Sequence, residues 1–217
     1  MTYFIPIVGT HCSGKTTLAE KLTNLAQKKG YNAMFISEVA RDCPFPMHEG
    51  QTEEATQWIL EEQKKREDAL KNLGLDVVFC DRSFADPLLY FFAKKENKPT
   101  LNQFLLENKK AFGKTLYKTS IEYTERYNYT IFQELSEEEL LLVEDDGFRN
   151  INLVYRKEIQ NIASKLFAWL TDCLFINPKP LTRQANDENH LSMMLDVVLY
   201  NFEPKCRKDS NPSECLC

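Results

Sequence analysis

The stretch IPIVGTHCSGKTTLAEKL, residues 5–22, decides the reading of this chain. Within it, Gly9-Thr10-His11-Cys12-Ser13-Gly14-Lys15-Thr16 fits G-x-x-x-x-G-K-[ST] at every fixed position. The apolar run YFIPIV precedes Gly9, and from Gly14 onward Leu18, Leu22 and Leu25 share one helical face that Gly30 closes. A loop between strand and helix at this spacing turns its backbone N–H groups inward as a nest for phosphate oxygens. Gly9 takes the chain off the strand, Gly14 allows close backbone approach, and the helix N-terminus adds its partial positive charge. Lys15 is placed to reach the β- and γ-phosphates, and the Thr16 hydroxyl to ligate Mg2+. Ser13 and Thr17 complete the stretch expected to touch nucleotide, with His11 and Cys12 at free loop positions that require no special role.

Outward from the cradle, strand and helix signals alternate. NAMFIS is a second strand, a long helix runs from about residue 53 to 73, and VVFCD is a third strand ending on Asp81. Helices follow over DPLLYFFAKK and residues 101–118, then a fourth strand at YNYTIFQ and a short helix within SEEELLLV. A helix over 150–170, a fifth strand at CLFIN and a last amphipathic helix in NDENHLSMMLDVVLYNF complete the order. Strands separated by helices imply a parallel sheet covered on both faces. Pro6 inside the first strand predicts a strand start or a local irregularity.

Ligands of open α/β sheets bind at the carboxyl ends of the strands, and two carboxylates are delivered there. Asp81 ends the third strand beside the cradle, where it can orient the magnesium shell; the alternative is a capping aspartate, with Ser83 and Asp86 as rivals for that task. Glu38 ends the second strand, with Arg41 one short turn later, and could orient or deprotonate an attacking hydroxyl. It is equally readable as an ion-pair partner of Arg41 or Arg82. On the long helix, Ile59, Gln63, Arg66, Leu70 and Leu73 follow helical spacing, so Gln63 is either a satisfied core amide or turned to a ligand.

Composition bounds the function. The chain has 217 residues, 43% hydrophobic and 27% charged, with a formal charge of −5, which suits one ordinary globular domain and offers nucleic acid no bulk attraction. The N-terminal apolar run is too short for a signal peptide or membrane span, making the cytosol the expected location. Of seven cysteines, Cys12, Cys43, Cys80 and Cys173 are scattered, whereas Cys206, Cys215 and Cys217 gather in a polar tail over 204–217. The leading reading is a solvated tail; the terminal Cys-x-Cys is also similar to the doubly prenylated ending of Rab-type GTPases, and membrane association is expected only if Cys215 and Cys217 are lipidated.

Taken in order, GTHCSGKTTL, SEVAR, Gln63, CDRSFADPLLY and DDGFR resemble the P-loop small-molecule kinases up to about residue 190. The similarity is greatest to the branch with the nicotinamide riboside kinase domain of the bacterial NAD regulator and AAA-type ATP-binding relatives. Asp81-Arg82-Ser83 is also similar to the acidic-Arg-Ser motif of deoxyribonucleoside kinases. The resemblance implies a three-layer α/β fold over 1–203, a five-stranded parallel sheet in the order 2-3-1-4-5, and a helical lid near 133–156. It implies that Glu38 handles the acceptor hydroxyl and that Arg82 lies near the acceptor and transferring phosphate; Arg41 and Gln63 join them as candidate substrate residues on the positions argued above. It implies that Arg149 of DDGFR stabilises the moving phosphoryl group, and that Arg183 lies near the nucleotide base. The multi-arginine lid of deoxyribonucleoside kinases is missing, and only Arg149 and Arg156 lie near.

The leading expectation is therefore Mg2+-dependent transfer of the γ-phosphoryl group of ATP, or GTP, to a hydroxyl of a nucleoside-like or other small metabolite. Some animal relatives of the branch bind GTP and phosphatidic acid, so a nucleotide-binding regulator with a protein or membrane partner stands as the alternative, although no Asn-Lys-x-Asp tetrapeptide is present. A kinase of nucleic-acid ends would need a basic groove, whereas the segment before the lid motif is acidic. The amphipathic helices can cover the core or form a homodimer face.

Overall fold

A computed structural model describes residues 2–45, 51–93, 122–123, 125–127, 129–141, 152–170 and 188–199, and in it the first strand is interior to the sheet. β1 (Tyr3–Val8) lies between β3 (Val77–Asp81) and β4 (Ile131–Phe132), with β2 (Ala33–Ile36) outside β3. All three pairings are parallel, with Tyr3 opposite Val77, Ile7 opposite both Asp81 and Ile131, and Ala33 opposite Val77. The order β2-β3-β1-β4 is the expected one; the predicted fifth strand at 173–177 falls outside the described residues, as does the helix predicted over 101–118.

Side-chain alternation along the strands divides the core into two layers, because a pleated strand sends successive side chains to opposite faces. Ile5, Ile7, Val77 and Phe79 pack beneath α1 (Lys15–Lys28) and α6 (Glu188–Leu199), against Leu18, Leu22, Leu195 and Val198. Phe4, Val8, Val78 and Cys80 face α3 (Pro87–Ala93) and α5 (Leu153–Leu170), against Leu89, Phe92, Ile159 and Leu166. Each fully buried aliphatic or aromatic side chain contributes about 1.5–3 kcal/mol, so both layers hold the strand ends in fixed register.

Pro6 sits within this interior strand, opposite Cys80. On β1, Tyr3 donates to Asp76 and Ile7 accepts from Arg82, so odd residues bond toward β3; Val8 accepts from Gln133, so even residues face β4. The N–H that Pro6 lacks thus points to the β4 side, where pairing starts only opposite Ile7. The irregularity predicted at Pro6 is the short reach of β4.

Two boundaries differ from expectation for local reasons. β4 covers Ile131–Phe132 instead of all of YNYTIFQ, because the Tyr127 amide still bonds helically to the Tyr123 carbonyl at 3.0 Å. α2 (Glu53–Leu70) stops before Leu73, which is 60% exposed and bonds back to Leu70 in a tighter turn. The start of α2 is capped by Thr52, whose hydroxyl accepts from Ala55 at 3.1 Å, with Glu53 and Glu54 on the favourable end of the dipole. α1 ends at Lys28 and is closed by Gly30, φ +90°, where Tyr31 bonds back to Ala26 and Gly30 to Gln27 in a Schellman arrangement. The predicted short acidic helix is α4 (Glu137–Leu141). Among the described residues no helix is long and apolar enough to cross a membrane.

Candidate active site

The cradle is built against the end of β4. The Gln133 amide donates to the Val8 carbonyl at 2.8 Å, which brings the Gln133 carbonyl so close that a Cβ on Gly9 would lie 2.5 Å from it. Gly9 (φ +143°), Cys12 (φ +54°) and Gly14 (φ +81°) then turn the loop through backbone conformations that side chains disfavour. Thr10, His11, Ser13 and Lys15 are buried, Cys12 is half-buried, and Gly14, Thr16 and Thr17 are exposed. Lys15 Nζ donates to the Thr10 carbonyl and, at 3.1 Å, to Ser13 Oγ. Burial lowers the Lys15 pKa to about 7; the Arg82 charge works in the same direction, and Asp81, Glu38 and Asp86 oppose it. The loop encloses an ammonium whose charge a phosphate would restore.

Thr16 Oγ1 donates to Asp81 Oδ2, joining the helix start to the end of β3. Among the described residues no group of three or more His, Cys, Asp or Glu side chains is arranged to hold a metal. A hydroxyl and one carboxylate beside a phosphate nest fit Mg2+, which binds through one or two protein oxygens together with phosphates and water.

Next to Asp81, Arg82 takes a left-handed backbone conformation at φ +88° and is buried. Its Nε donates to Glu38 Oε1 at 2.6 Å, one Nη reaches Asp86 Oδ1 at 3.4 Å, and its guanidinium lies 5.5 Å from the Tyr90 ring centroid. The second Glu38 oxygen pairs with Arg41 Nε at 3.3 Å, so the ion-pair alternative for Glu38 is realised with both arginines. Ser83 and Asp86, not Asp81, do the capping: Ser83 Oγ accepts from the Ala85 amide, and Asp86 accepts from the Ser83 amide and hydroxyl at 2.7 Å each. Burial raises the Asp86 pKa against the lowering effect of Arg82.

Gln63 adopts the satisfied-core alternative. Its amide donates to Glu67 Oε1 at 2.9 Å and to the Arg82 carbonyl at 3.5 Å, behind the cluster. Arg66 turns outward to Asp42 and Glu62. Glu67, missed in the sequence, is the hub of this layer: it accepts from Tyr127 Oη at 2.6 Å and pairs with Arg126 at 3.1 Å. Tyr127 Oη in turn accepts from the Phe84 amide at 3.1 Å. Burial pushes the Glu67 pKa up, against hydrogen bonds from Tyr127 and Gln63 and the charge of Arg126. Its spacing, four residues after Gln63, was the available signal.

Two more residues reach the cradle. The carboxamide nitrogen of Gln133 would lie 3.6 Å from a Cβ on Gly14. Arg156, fully buried on α5, accepts at its carbonyl from Thr10 Oγ1 at 3.5 Å. Its position three before Ile159 and seven before Ala163 marks the inward face of α5. Arg149 and Arg183 lie outside the described residues, as do Cys173 and the tail with Cys206, Cys215 and Cys217; of the lid expected near 133–156, residues 133–141 and 152–156 are described. Cys80 is buried as expected, and burial pushes its thiol pKa well up.

The chain matches the family model described as AAA domain over residues 4–172. None of the curated proteins compared with it matches. Among solved structures it is similar to deoxyadenosine kinase from M. mycoides with bound dATP, at 15% identity and TM-score 0.57, covering 89% of this chain and 98% of that one. A second structure of that enzyme, with products dCMP and a flexible dCDP, gives 14% identity and TM-score 0.54 over 92% of this chain and 100% of that one. At these identities the likeness establishes a common α/β fold, while the family model spans more than half the sequence: the chain belongs to the AAA domain family, built on a P-loop kinase-like fold.

Proposed function

We propose that this chain is a P-loop phosphotransferase that moves the γ-phosphoryl group of ATP or GTP to a hydroxyl of a nucleoside-like or other small acceptor. The observation that carries the reading is the buried Glu38–Arg82–Asp86 cluster at the carboxyl edge of the sheet, directly after Asp81 and beside Lys15. A simple hydrolase needs a cradle and a metal site; an enclosed charged cluster at the adjoining strand end is suited to binding a polar acceptor. The fold shared with a deoxyadenosine kinase supports the same reading.

In this proposal the loop from Gly9 to Thr17 holds the nucleotide and Lys15 carries charge to its phosphates. Thr16 and Asp81 hold Mg2+, which offsets charge on the phosphate oxygens when bound. Glu38 and Arg82 orient the acceptor hydroxyl, Arg41 sets the direction of Glu38, and Gln63 holds the Arg82 backbone from behind. The hydroxyl oxygen forms a bond to the γ-phosphorus as the bond to the bridging oxygen breaks; the hydroxyl proton passes to Glu38, and the nucleoside diphosphate leaves with the electron pair of the broken bond. Positioning and charge neutralisation supply most of the rate. Arg149 and Arg183 keep their proposed places at the lid and the base.

A second reading has one observation in its favour. Both oxygens of Glu38 are engaged by arginines, as they would be in a structural ion pair of a nucleotide-binding regulator. Transfer from Mg-ATP and Mg-GTP to a panel of nucleosides and other hydroxylated metabolites separates the two. A phosphorylated product lost in Lys15→Ala and Glu38→Gln is expected. Tight nucleotide binding with slow hydrolysis, indifferent to acceptor and to Glu38, would replace the enzyme with the regulator.

A further inference from the structure

Glu67 is fully buried within α2, and phosphoryl transfer as described gives it no task. A buried carboxylate needs donors, and Glu67 draws them from three side chains. Tyr127 Oη at 2.6 Å and Gln63 Nε2 at 2.9 Å donate to Oε1, and Arg126 donates to Oε2 at 3.1 Å. Arg126 answers the charge. The other two donors continue past the carboxylate. The Tyr127 hydroxyl accepts from the Phe84 amide at 3.1 Å, and the Gln63 amide donates also to the Arg82 carbonyl at 3.5 Å. Both arms start on one carboxylate oxygen and end on the two peptide groups that flank Ser83.

Residues 82–84 need such support. Arg82 has a left-handed backbone at φ +88°, a conformation that a side chain disfavours and that persists where the surroundings over-determine it. Its amide is fixed to the Ile7 carbonyl at 3.1 Å, and the Ser83 amide to Asp86 at 2.7 Å. The buried Phe84 ring stacks on Tyr127 with centroids 5.7 Å apart. This turn decides how the Arg82 side chain leaves the backbone, and with it the 2.6 Å bond from Nε to Glu38. A chain of hydrogen bonds thus runs from Glu67 to the turn that carries the acceptor-orienting arginine.

We propose that Glu67 and Tyr127 are positioning residues for Arg82, holding the turn at 82–84 so that the guanidinium meets Glu38 in the orientation the acceptor hydroxyl requires. The inference rests on the acceptor reading above for its kinetic consequence, whereas the hold on Arg82 is a property of the free protein. Tyr127→Phe cuts the chain cleanly: the ring still stacks on Phe84, and only the hydroxyl that bridges Phe84 to Glu67 is lost.

Solvent exchange of the Arg82 Nε–H, followed by nitrogen-15 NMR on the full chain without nucleotide and assigned by its disappearance in Arg82→Lys, tests the hold. In Tyr127→Phe this proton should exchange roughly 10-fold faster, while α1 amides such as that of Leu22 keep their wild-type rates. Gln63→Met, which cuts the longer arm, should show the same change in smaller size, and carries the comparison if Tyr127→Phe fails to fold. With an acceptor found among nucleosides and hydroxylated metabolites, its kcat/KM should fall roughly 10- to 100-fold in Tyr127→Phe, with KM for Mg-ATP unchanged. Glu67→Gln keeps an oxygen for both arms and should stay near wild type. Arg82 exchange that is unchanged, or that rises only as much as exchange in α1, would make Glu67 and Tyr127 a structural brace and overturn the inference. Faster Arg82 exchange with unchanged kcat/KM would overturn it as well. Wild type that phosphorylates no acceptor would overturn the enzyme reading instead, leaving the exchange rates to decide the positioning of Arg82.

Discussion

Arg82 Nε lies 2.6 Å from Glu38 Oε1, joining the ends of β3 and β2 through side chains that are 8% and 5% exposed. This contact makes one unit of two residues 44 positions apart. Removing one partner from a buried ion pair leaves an uncompensated charge and costs about 3–5 kcal/mol, whereas removing both costs much less. Glu38→Gln and Arg82→Gln should each lower urea stability by that order, and the double variant by less than the sum. Additive losses would show the two side chains to be uncoupled. Phosphotransfer should be lost in all three, which separates activity from stability.

The ammonium of Lys15 provides a pH test. Its pKa in the folded chain, about 7, is below the ordinary 10.5, so between those values the unfolded chain binds more protons. Stability attributable to Lys15 therefore rises with pH across that window. A bound phosphate restores the charge, so nucleotide binding takes up a proton and weakens as pH rises through the same range. Calorimetry of ADP binding at about pH 8 in buffers of different ionisation enthalpy should show uptake approaching one proton. Zero uptake would mean that Lys15 is already charged before nucleotide arrives. Lys15→Met should also remove this component from the pH dependence of melting.

Glu67 gives the opposite sign. Burial raises its folded pKa above the ordinary 4.5, so as pH rises past that value the folded chain retains a proton that the unfolded chain gives up. Stability attributable to Glu67 is then lost with rising pH. Glu67→Gln should gain on wild type as pH increases from 4.5 toward neutrality, measured by urea midpoints at a series of pH values. Glu67→Leu should be worse than either, because Tyr127, Gln63 and Arg126 all lose an acceptor, at a cost of about 1–3 kcal/mol for each donor left buried. A flat difference between glutamine and wild type across pH would contradict the assignment.

What the sequence disclosed follows from distance along the chain. The cradle from Gly9 to Thr16 is a local pattern and was readable, whereas YFIPIV is apolar throughout, so the division of Ile5 and Ile7 from Phe4 and Val8 between two layers was not. Asp81 was readable because a strand end has a fixed place relative to the cradle. Glu67, Gln133 and Arg156 were not, because their roles come from partners brought together by folding: Tyr127 is 60 residues from Glu67, and Arg156 is 146 from Thr10. In a helix as charged as α2, an inward glutamate looks like its solvated neighbours until the tyrosine opposite it is known. Asp86 stands at the Ser-x-x-Asp spacing of a capping box and Asp81 does not, so the choice of capping residue was local, and the contacts of Asp86 to the Ser83 amide and hydroxyl settle it.

Two glycines with positive φ allow strain and crowding to be separated. At Gly30, φ +90°, a Cβ would meet nothing within 4 Å, so Gly30→Ala carries only the left-handed penalty of roughly 1–2 kcal/mol. Gly9 at φ +143° adds a contact of 2.5 Å with the Gln133 backbone carbonyl, and backbone cannot rotate away as a flexible side chain would. Gly9→Ala must therefore part β1 from β4 or displace the loop, adding an overpacking cost of about 1–3 kcal/mol to the strain. Urea midpoints should fall further for Gly9→Ala than for Gly30→Ala, and nucleotide affinity should fall only for the former. Nucleotide affinity unchanged in a folded Gly9→Ala would show that the cradle tolerates movement of β4, and would remove the close Gln133 contact from the account of how the phosphate nest is held.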